Sequence, residues 1–503
     1  MTFGLGVDPL VLVAAGLLVL GVLSSAFATR MRLPGLLLFL ALGMVIGDDG
    51  LGLLSLDDPG VAQTAGVLAL LLILFEGGLT TRPADLRRAA VPGFALATVG
   101  VVLTAAAVAV GAIVFTGLDV LTALLIGAVV SSTDAAAVFS VLRRSPLPRR
   151  ITALLEVESG ANDPMAILLT IGLLETWRAQ PGVTEWLVFG ARQLGGGVVG
   201  GLVVGVVGAW LLRRIELGAA GLYPVLALGL AGVAYGAAAA AGASGFLAVY
   251  VCGLMIGARV PRYRRGIRTF HEGLANIAEI GLFLLLGLLV FPSQLPAVIL
   301  PALGVTAVLV LVARPFAVHA TMIWPLLRRR WDMRELGLVS WSGLRGAVPI
   351  VLATFPLTAQ YPDGVAIFNI VFFVVLVSTA VQGSTIGLVA RRLGLVKEDA
   401  TIWAPIAEIL PLEGADIDLV EVDVTDHLHI AGRQLRDVPL PHGARLTAII
   451  RNERTIVPHG STRLLPGDRA LVTAPRDPRA AERVTIWATG EEHTGDHPVA
   501  EPY

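Results

Sequence analysis

Leu155-Glu156-Val157-Glu158-Ser159-Gly160-Ala161-Asn162-Asp163-Pro164-Met165-Ala166 sets three carboxylates, an amide and a hydroxyl inside a stretch, 151–174, otherwise apolar and long enough to cross a bilayer. Residues four apart on a helix share a face, so Glu158 aligns with Asn162 and Ser159 with Asp163. Pro164 lacks a backbone donor, which weakens the local helix and frees a carbonyl near Asp163. A carboxylate with hydroxyl, amide and carbonyl oxygens around it suits a dehydrated alkali cation. The same carboxylate can take a proton instead. The competing reading is a polar contact between two helices inside a bundle; for Glu156 the residues favour neither.

The surrounding chain decides the class. Of 503 residues, 55% are hydrophobic and 15% charged, too few charges to solvate a globular protein of this length. The net charge of −1 excludes a nucleic-acid-binding character. The single cysteine, Cys252, lies in an apolar run and reads as a small core residue, so there is no disulfide framework. Met1–Leu20 shows no basic segment of a removable signal peptide. About thirteen apolar stretches recur between Val7 and Ala390. Basic residues cluster in every second connection, from Arg30 and Arg32 through Arg143, Arg144, Arg149 and Arg150 to Arg391, Arg392 and Lys397. By the positive-inside rule the N-terminus is outside and the C-terminus cytoplasmic.

Ionisable groups at membrane depth cost about 2.5–3.5 kcal/mol each on insertion, so Glu76, Asp134, Glu156, Glu158, Asp163, Glu279, Arg314 and Arg345 must line water or pair with one another. The fifth stretch holds Ser131-Ser132-Thr133-Asp134, and the twelfth holds Trp341-Ser342-Gly343-Leu344-Arg345-Gly346-Ala347-Val348-Pro349. Both read as interrupted helices, and backbone irregularity at that depth is tolerated only against protein or water. Their offset of seven stretches is odd, so the two halves insert upside-down relative to each other, the arrangement of a transporter with a midplane site. Asp134 would then neutralise half-helix N-termini and Arg345 C-termini. Arg345 needs a buried partner, and Glu158 is the expected one.

Gly195-Gly196-Gly197-Val198-Val199-Gly200 matches a dinucleotide pattern but lies inside a membrane stretch; Gly197, Gly201 and Gly205 read instead as a stripe for close helix packing. Thr98-Val99-Gly100 lacks the following Tyr-Gly of a potassium filter. From about Glu398 the composition changes, and residues 416–485 alternate apolar and polar, as in Leu419–Val424 and Arg445–Ile450. Turn signals stand at Arg451-Asn452-Glu453, His459-Gly460 and Pro466-Gly467-Asp468, and a short helix is expected over Ile430–Asp437. The expected organisation is a membrane domain at 1–395, a linker at 396–415, a small cytosolic α+β domain at 416–485 and a disordered tail at 486–503. The fold class is an all-α polytopic membrane protein with inverted repeats and two broken helices, followed by that α+β domain.

The run Glu158–Pro164, together with Ser132-Thr133-Asp134 and Gly343–Pro349, resembles the NhaP-type bacterial cation/proton antiporters. Arg32-Leu33-Pro34-Gly35, Phe75-Glu76-Gly77-Gly78-Leu79 and Gly242–Ala248 fit the same family, and the likeness covers residues 5–395. Residues 416–485, with Gly432, Leu435 and the Leu465-Pro466-Gly467-Asp468 turn, look similar to the C-terminal half of an RCK (TrkA-C) domain. The combination resembles the potassium/proton branch. The resemblance implies two six-helix inverted repeats and a homodimer. It implies Asp163 as the shared cation and proton carboxylate, with Ser159, Glu76 and the Thr133 backbone completing the oxygen shell. It further implies Asp134 as the balance for the crossed helix ends and Glu158 with Arg345 as a structural ion pair. Asn162 stands where electrogenic relatives carry a second aspartate, which implies electroneutral exchange. Glu156 and Glu279 lie outside the mapped motifs.

These readings converge on a secondary transporter rather than an enzyme. It would exchange cytoplasmic K+ for protons in the bacterial inner membrane, with Na+ as the alternative ion and no cofactor beyond the transported ions. An RCK-gated channel competes, but no filter sequence supports it. The soluble domain would regulate transport, with a cyclic dinucleotide as a candidate ligand; its missing Rossmann half argues against NAD.

Overall fold

A computed structural model describes residues 8–31, 35–54, 58–81, 83–134, 137–138, 147–260, 263–323, 331–396, 408–411, 417–426, 428–451, 454–475 and 480–490. The chain divides into two units, Met1–Lys397 and Glu398–Tyr503.

The first unit is helical. It opens with α1 (Asp8–Met31), α2 (Gly35–Ile46) and α3 (Pro59–Thr80). Helix α4 (Pro83–Ala95) runs through a π turn at Leu96–Gly100 into α5 (Val101–Thr116). Next come α6 (Val120–Val129), α7 (Arg149–Ala179), α8 (Val183–Arg214), α9 (Leu222–Ala240), α10 (Gly245–Arg259) and α11 (Arg264–Leu288). A second π turn, Leu309–Ala313, joins α12 (Ile299–Val308) to α13 (Arg314–Met322). The unit closes with α14 (Met333–Trp341), α15 (Ala347–Thr358) and α16 (Gly364–Arg392). Helix occupies every one of the apolar stretches read from the sequence. Among the described residues, seven segments are long and apolar enough to cross a membrane by length and composition.

Local chemistry sets the ends of these helices. Asp58 caps α3 by accepting from Gly60 N–H at 2.7 Å, with Pro59 in the first turn, where no donor is needed. Asp119 caps α6 by accepting from Leu121 N–H at 2.8 Å and Thr122 N–H at 3.2 Å. Inside α7, Pro164 removes one backbone bond without breaking the helix, which runs unbroken for 31 residues.

Helix contact depends on small residues, as expected where lipid offers no hydrophobic drive. Gly197, Gly201 and Gly205 of α8 are buried against Ser244, which caps α10, and against Ala248 and Cys252 within it; a Cβ on Gly201 would lie 2.5 Å from the Ala248 carbonyl oxygen. The packing reading of that stripe therefore holds, and Thr98-Val99-Gly100 falls within a π turn.

The second unit is an antiparallel five-stranded sheet in the order β1-β2-β5-β3-β4, from β1 (Glu408–Pro411), β2 (Ile417–Asp423), β3 (Arg445–Arg451), β4 (Arg454–Ile456) and β5 (Arg469–Pro475). Three expectations change. Strand β1 falls in the stretch read as a linker. The helix expected over Ile430–Asp437 is a 3-10 turn at Leu435–Asp437 only, because Gly432 takes the left-handed region (φ +74°) and Gln434 bridges to Arg463. Helix α17 (Ala480–Thr489) runs past 485, and its Val484, Trp487 and Ala488 pack into the core with Val420, Ile449 and Val472. The rest of the expected tail, from 491, lies outside the described residues.

The Pro466-Gly467-Asp468 turn is pinned by Asp468, 2% exposed. It accepts from Arg451 through Nε and Nη2, both at 2.7 Å, and from Leu465 N–H at 2.8 Å. Burial alone would raise this carboxyl, but the Arg451 fork and the Leu465 N–H outweigh it and hold Asp468 below its ordinary value. The resulting stability is present above the ordinary carboxylate range and is lost as pH falls through the depressed folded value. Asp468→Asn should lower the thermal midpoint of this unit by roughly 10 °C at pH 7, with the gap narrowing below about pH 4 in calorimetry of the full chain.

Candidate ion-binding site

Two segments give up helical backbone in the middle. Helix α6 ends at Val129, Ser131–Asp134 is irregular, and helix reappears at 137–138. Between α14 and α15, residues Ser342–Gly346 are likewise unwound. The interruptions touch: Asp134 N–H donates to the Leu344 carbonyl at 2.9 Å. Arg345 Nη1 donates to the Ser132 carbonyl at 2.7 Å and reaches that of Ser131 at 3.4 Å. Asp134 Oδ1 in turn accepts from Ala137 N–H at 3.1 Å, at the start of the second half-helix. An anion thus sits at a helix N-terminus and a cation at carbonyl ends, contacts of the kind the dipole argument requires. Gly346 permits the approach, since a Cβ there would collide with the Asp134 carboxylate.

Helix α7 passes alongside. Asn162, fully buried, donates from Nδ2 to Thr133 Oγ1 at 2.6 Å. Asp163, 8% exposed, lies beside Ser132 and within electrostatic reach of Asp134. Asp163, Asn162, Ser132, Thr133 and Asp134 are therefore brought together at the crossing. Ser159 stands one turn before Asp163 on α7. Glu76, half-buried on α3, has Glu272 and Arg268 of α11 as charged neighbours. Glu279, also on α11, reaches both Glu76 and Asp134 electrostatically, and so links Glu76 to the crossing. The sequence had offered Glu279 no role.

The pairing expected between Glu158 and Arg345 is not the one formed. Glu158, 1% exposed, takes both prongs of Arg314, at 2.5 Å (Nη1) and 2.9 Å (Nη2). The bidentate fork uses one acceptor site on each Glu158 oxygen, and Arg345 bonds instead to the carbonyls of the first break. Arg314 reaches Glu158 because its side chain lies over the bare Cα of Gly343. Tyr250 of α10 escaped sequence reasoning altogether. Its ring lies against Gly160, with Glu156 and Asp163 in electrostatic reach, and a tyrosine in an apolar run gives no such signal.

With the geometry in hand, comparison with known proteins is decisive. Residues 15–392 match the model of the sodium/hydrogen exchanger, transmembrane. The chain belongs to the sodium/hydrogen exchanger family. Residues 419–482 of this exchanger match the TrkA-C domain. A protein named K(+)/H(+) antiporter NhaP2, from Shewanella sp. (strain ANA-3), is 38% identical over 465 residues, covering 91% of this chain and 79% of its own length. The K(+)/H(+) antiporter NhaP of Alkalimonas amylolytica is 38% identical over 454 residues, 88% of this chain and 77% of that one. The sodium proton antiporter MjNhaP1 of Methanocaldococcus jannaschii has the same fold, with a TM-score of 0.66 at 24% identity over 76% of this chain and 99% of that one. The NhaP-type resemblance read from the motifs holds, as does the TrkA-C likeness.

Removing the Glu158 charge leaves Arg314 buried and unpaired in this exchanger. Glu158→Gln should therefore cost about 3–5 kcal/mol, read as a large drop in the thermal midpoint of the purified protein or as failure to accumulate.

Proposed function

We propose that this exchanger moves K+ out of the cytoplasm against protons, one for one, across the bacterial inner membrane. The observation that carries the reading is the buried carboxylate of Asp163 at the crossing of two unwound segments, beside the Ser132 hydroxyl. A carboxylate in that setting holds either a partly dehydrated cation or a proton, and binding of one excludes the other. If the site opens to one side at a time, each cycle carries one positive charge each way. Ser159, the Thr133 carbonyl and Glu76 are the further cation ligands on this reading, and Asn162 keeps the second position neutral. Asp134 and Arg345 balance the helix ends.

The relatives named K(+)/H(+) antiporters favour K+. A more distant relative, 28% identical over 407 residues, is named Na(+)/H(+) antiporter ApNhaP, from Aphanothece halophytica, and keeps Na+ as the second reading. The TrkA-C unit would adjust the rate through a small ligand such as a cyclic dinucleotide. The protein would work as a homodimer with the N-terminus outside and the C-terminus in the cytoplasm.

Liposomes with an acid interior test this directly. External K+ should alkalinise the lumen through the wild-type protein at a rate unchanged when the membrane potential is clamped, and Asp163→Asn should fall to background. Alkalinisation by Na+ alone would reassign the ion. Cation entry without counter-flow of protons would replace exchange with a channel.

A further inference from the structure

Two membrane segments contain a π turn, in which a backbone N–H reaches back five residues rather than four. One is Leu96–Gly100, closed by Val101 N–H on the Leu96 carbonyl; the other is Leu309–Ala313, closed by Arg314 N–H on the Leu309 carbonyl. They occupy the fourth and eleventh segments, each one segment ahead of a break, so they obey the same seven-segment offset as the breaks. Each stores one residue more than an α-turn. Shifting that extra residue along the helix re-registers what it passes, by about 100° and 1.5 Å per residue.

The second π turn delivers Arg314, so the extra residue sets where its guanidinium points. That guanidinium lies over Gly343 in the second break and grips Glu158 with both prongs. Two residues further on, Arg345 is 1% exposed, and its Nε and Nη2 are buried without a hydrogen-bond partner. Glu158 and Arg314 are both within electrostatic reach of Arg345. One buried carboxylate therefore lies within reach of two buried arginines, gripped by both prongs of one while the other keeps two donors idle. The first π turn follows Gly93, whose Cα lies against Val157 on α7, so both π-containing segments bear on the same stretch of α7.

We infer that the π turn at Leu309–Ala313 is a one-residue register reserve that lets Arg314 release Glu158, and that Arg345 takes the carboxylate when the site faces the other side. This rests on the exchange reading above. It gives the ion-carrying helix two alternative arginine partners, so no intermediate has to bury an unpaired Glu158.

Deleting Leu311, whose side chain is exposed, removes the reserve while the flanking helices keep their register as a plain α-helix. The variant should fold with a thermal midpoint within about 5 °C of wild type but exchange at least about 10-fold more slowly. Deleting Val203 from the regular helix α8 is the contrast: it rotates Gly205 off Met255 and should abolish folded protein. A Leu311 deletion that exchanges at the wild-type rate, or that fails to fold as the Val203 deletion does, overturns the inference. Arg314→Gln tests the second half. It should accumulate as folded protein because Arg345 can take Glu158, whereas Arg314→Gln combined with Arg345→Gln should not; equal behaviour of the two overturns it. Hydrogen exchange on the wild-type full chain stays informative even if no proton flux is found and the exchange reading fails. Amides of Leu309–Arg314 should exchange about 10-fold faster than those of α12 and respond to K+ at fixed pH. Protection equal to α12 and indifferent to K+ would reject the register reserve.

Discussion

Backbone that leaves the helix in mid-membrane must find every hydrogen-bond partner inside the protein, and this requirement organises the bundle. Ser131–Asp134 and Ser342–Gly346 expose peptide groups where lipid supplies no donor or acceptor, at a cost of several kcal/mol each if left unmet. The two breaks meet part of the need by serving each other, through Asp134 N–H on the Leu344 carbonyl. The remainder falls to side chains recruited from elsewhere. Arg345 covers the Ser131 and Ser132 carbonyls, Thr379 donates to the Arg345 carbonyl at 2.8 Å, and Gln382 donates to the Trp341 carbonyl at 3.0 Å. Helix α16, which looks in sequence like a plain hydrophobic span, is thus the support of the second break.

Such a crossing is possible only where side chains stand aside. Gly346 leaves room for the Asp134 carboxylate, Gly343 for the Arg314 side chain, and Gly160 for the Tyr250 ring. Gly127 brings α6 directly onto the Ala105 backbone of α5. These glycines sit in helices or breaks with ordinary φ, so their role is close approach rather than backbone freedom. The charges follow from the same closeness. Where the backbones touch, the charged groups beside them are met by fixed protein partners, Arg314 for Glu158 and the Ser131 and Ser132 carbonyls for Arg345.

The breaks were legible because hydroxyls, glycines and prolines concentrated at mid-span stand out against an apolar background. Spacing on α7 gave only that Ser159 shares a face with Asp163, and that Thr133 meets this helix came from the family resemblance rather than from the residues. The partner of Glu158 was not legible. Two arginines compete for it, and the choice depends on the π turn that aims Arg314, while Leu309-Val310-Leu311-Val312-Ala313 reads as unremarkable apolar helix. In the soluble unit the alternation gave β2 and β3, but α17 was missed. The stretch is short and runs into the polar end of the chain, and only the fold brings Val484, Trp487 and Ala488 together against the sheet.

Asn162 shows how one residue can set charge and geometry together. Its amide donates to Thr133 Oγ1, which obliges the threonine to accept there and turn its own O–H elsewhere. An ionised aspartate at that position would have no proton to donate; it would draw the threonine O–H toward itself and reverse the hydroxyl. The amide therefore does more than withhold a second negative charge from the crossing. It orients the oxygen next to Asp163, and on the exchange reading that oxygen belongs to the segment whose carbonyl holds the cation. Restoring a carboxylate at residue 162 would change both the charge of the site and the direction of its neighbouring dipole, so the two effects cannot be separated by that substitution. Only a neutral residue unable to donate at that position isolates the hydroxyl's orientation from the charge.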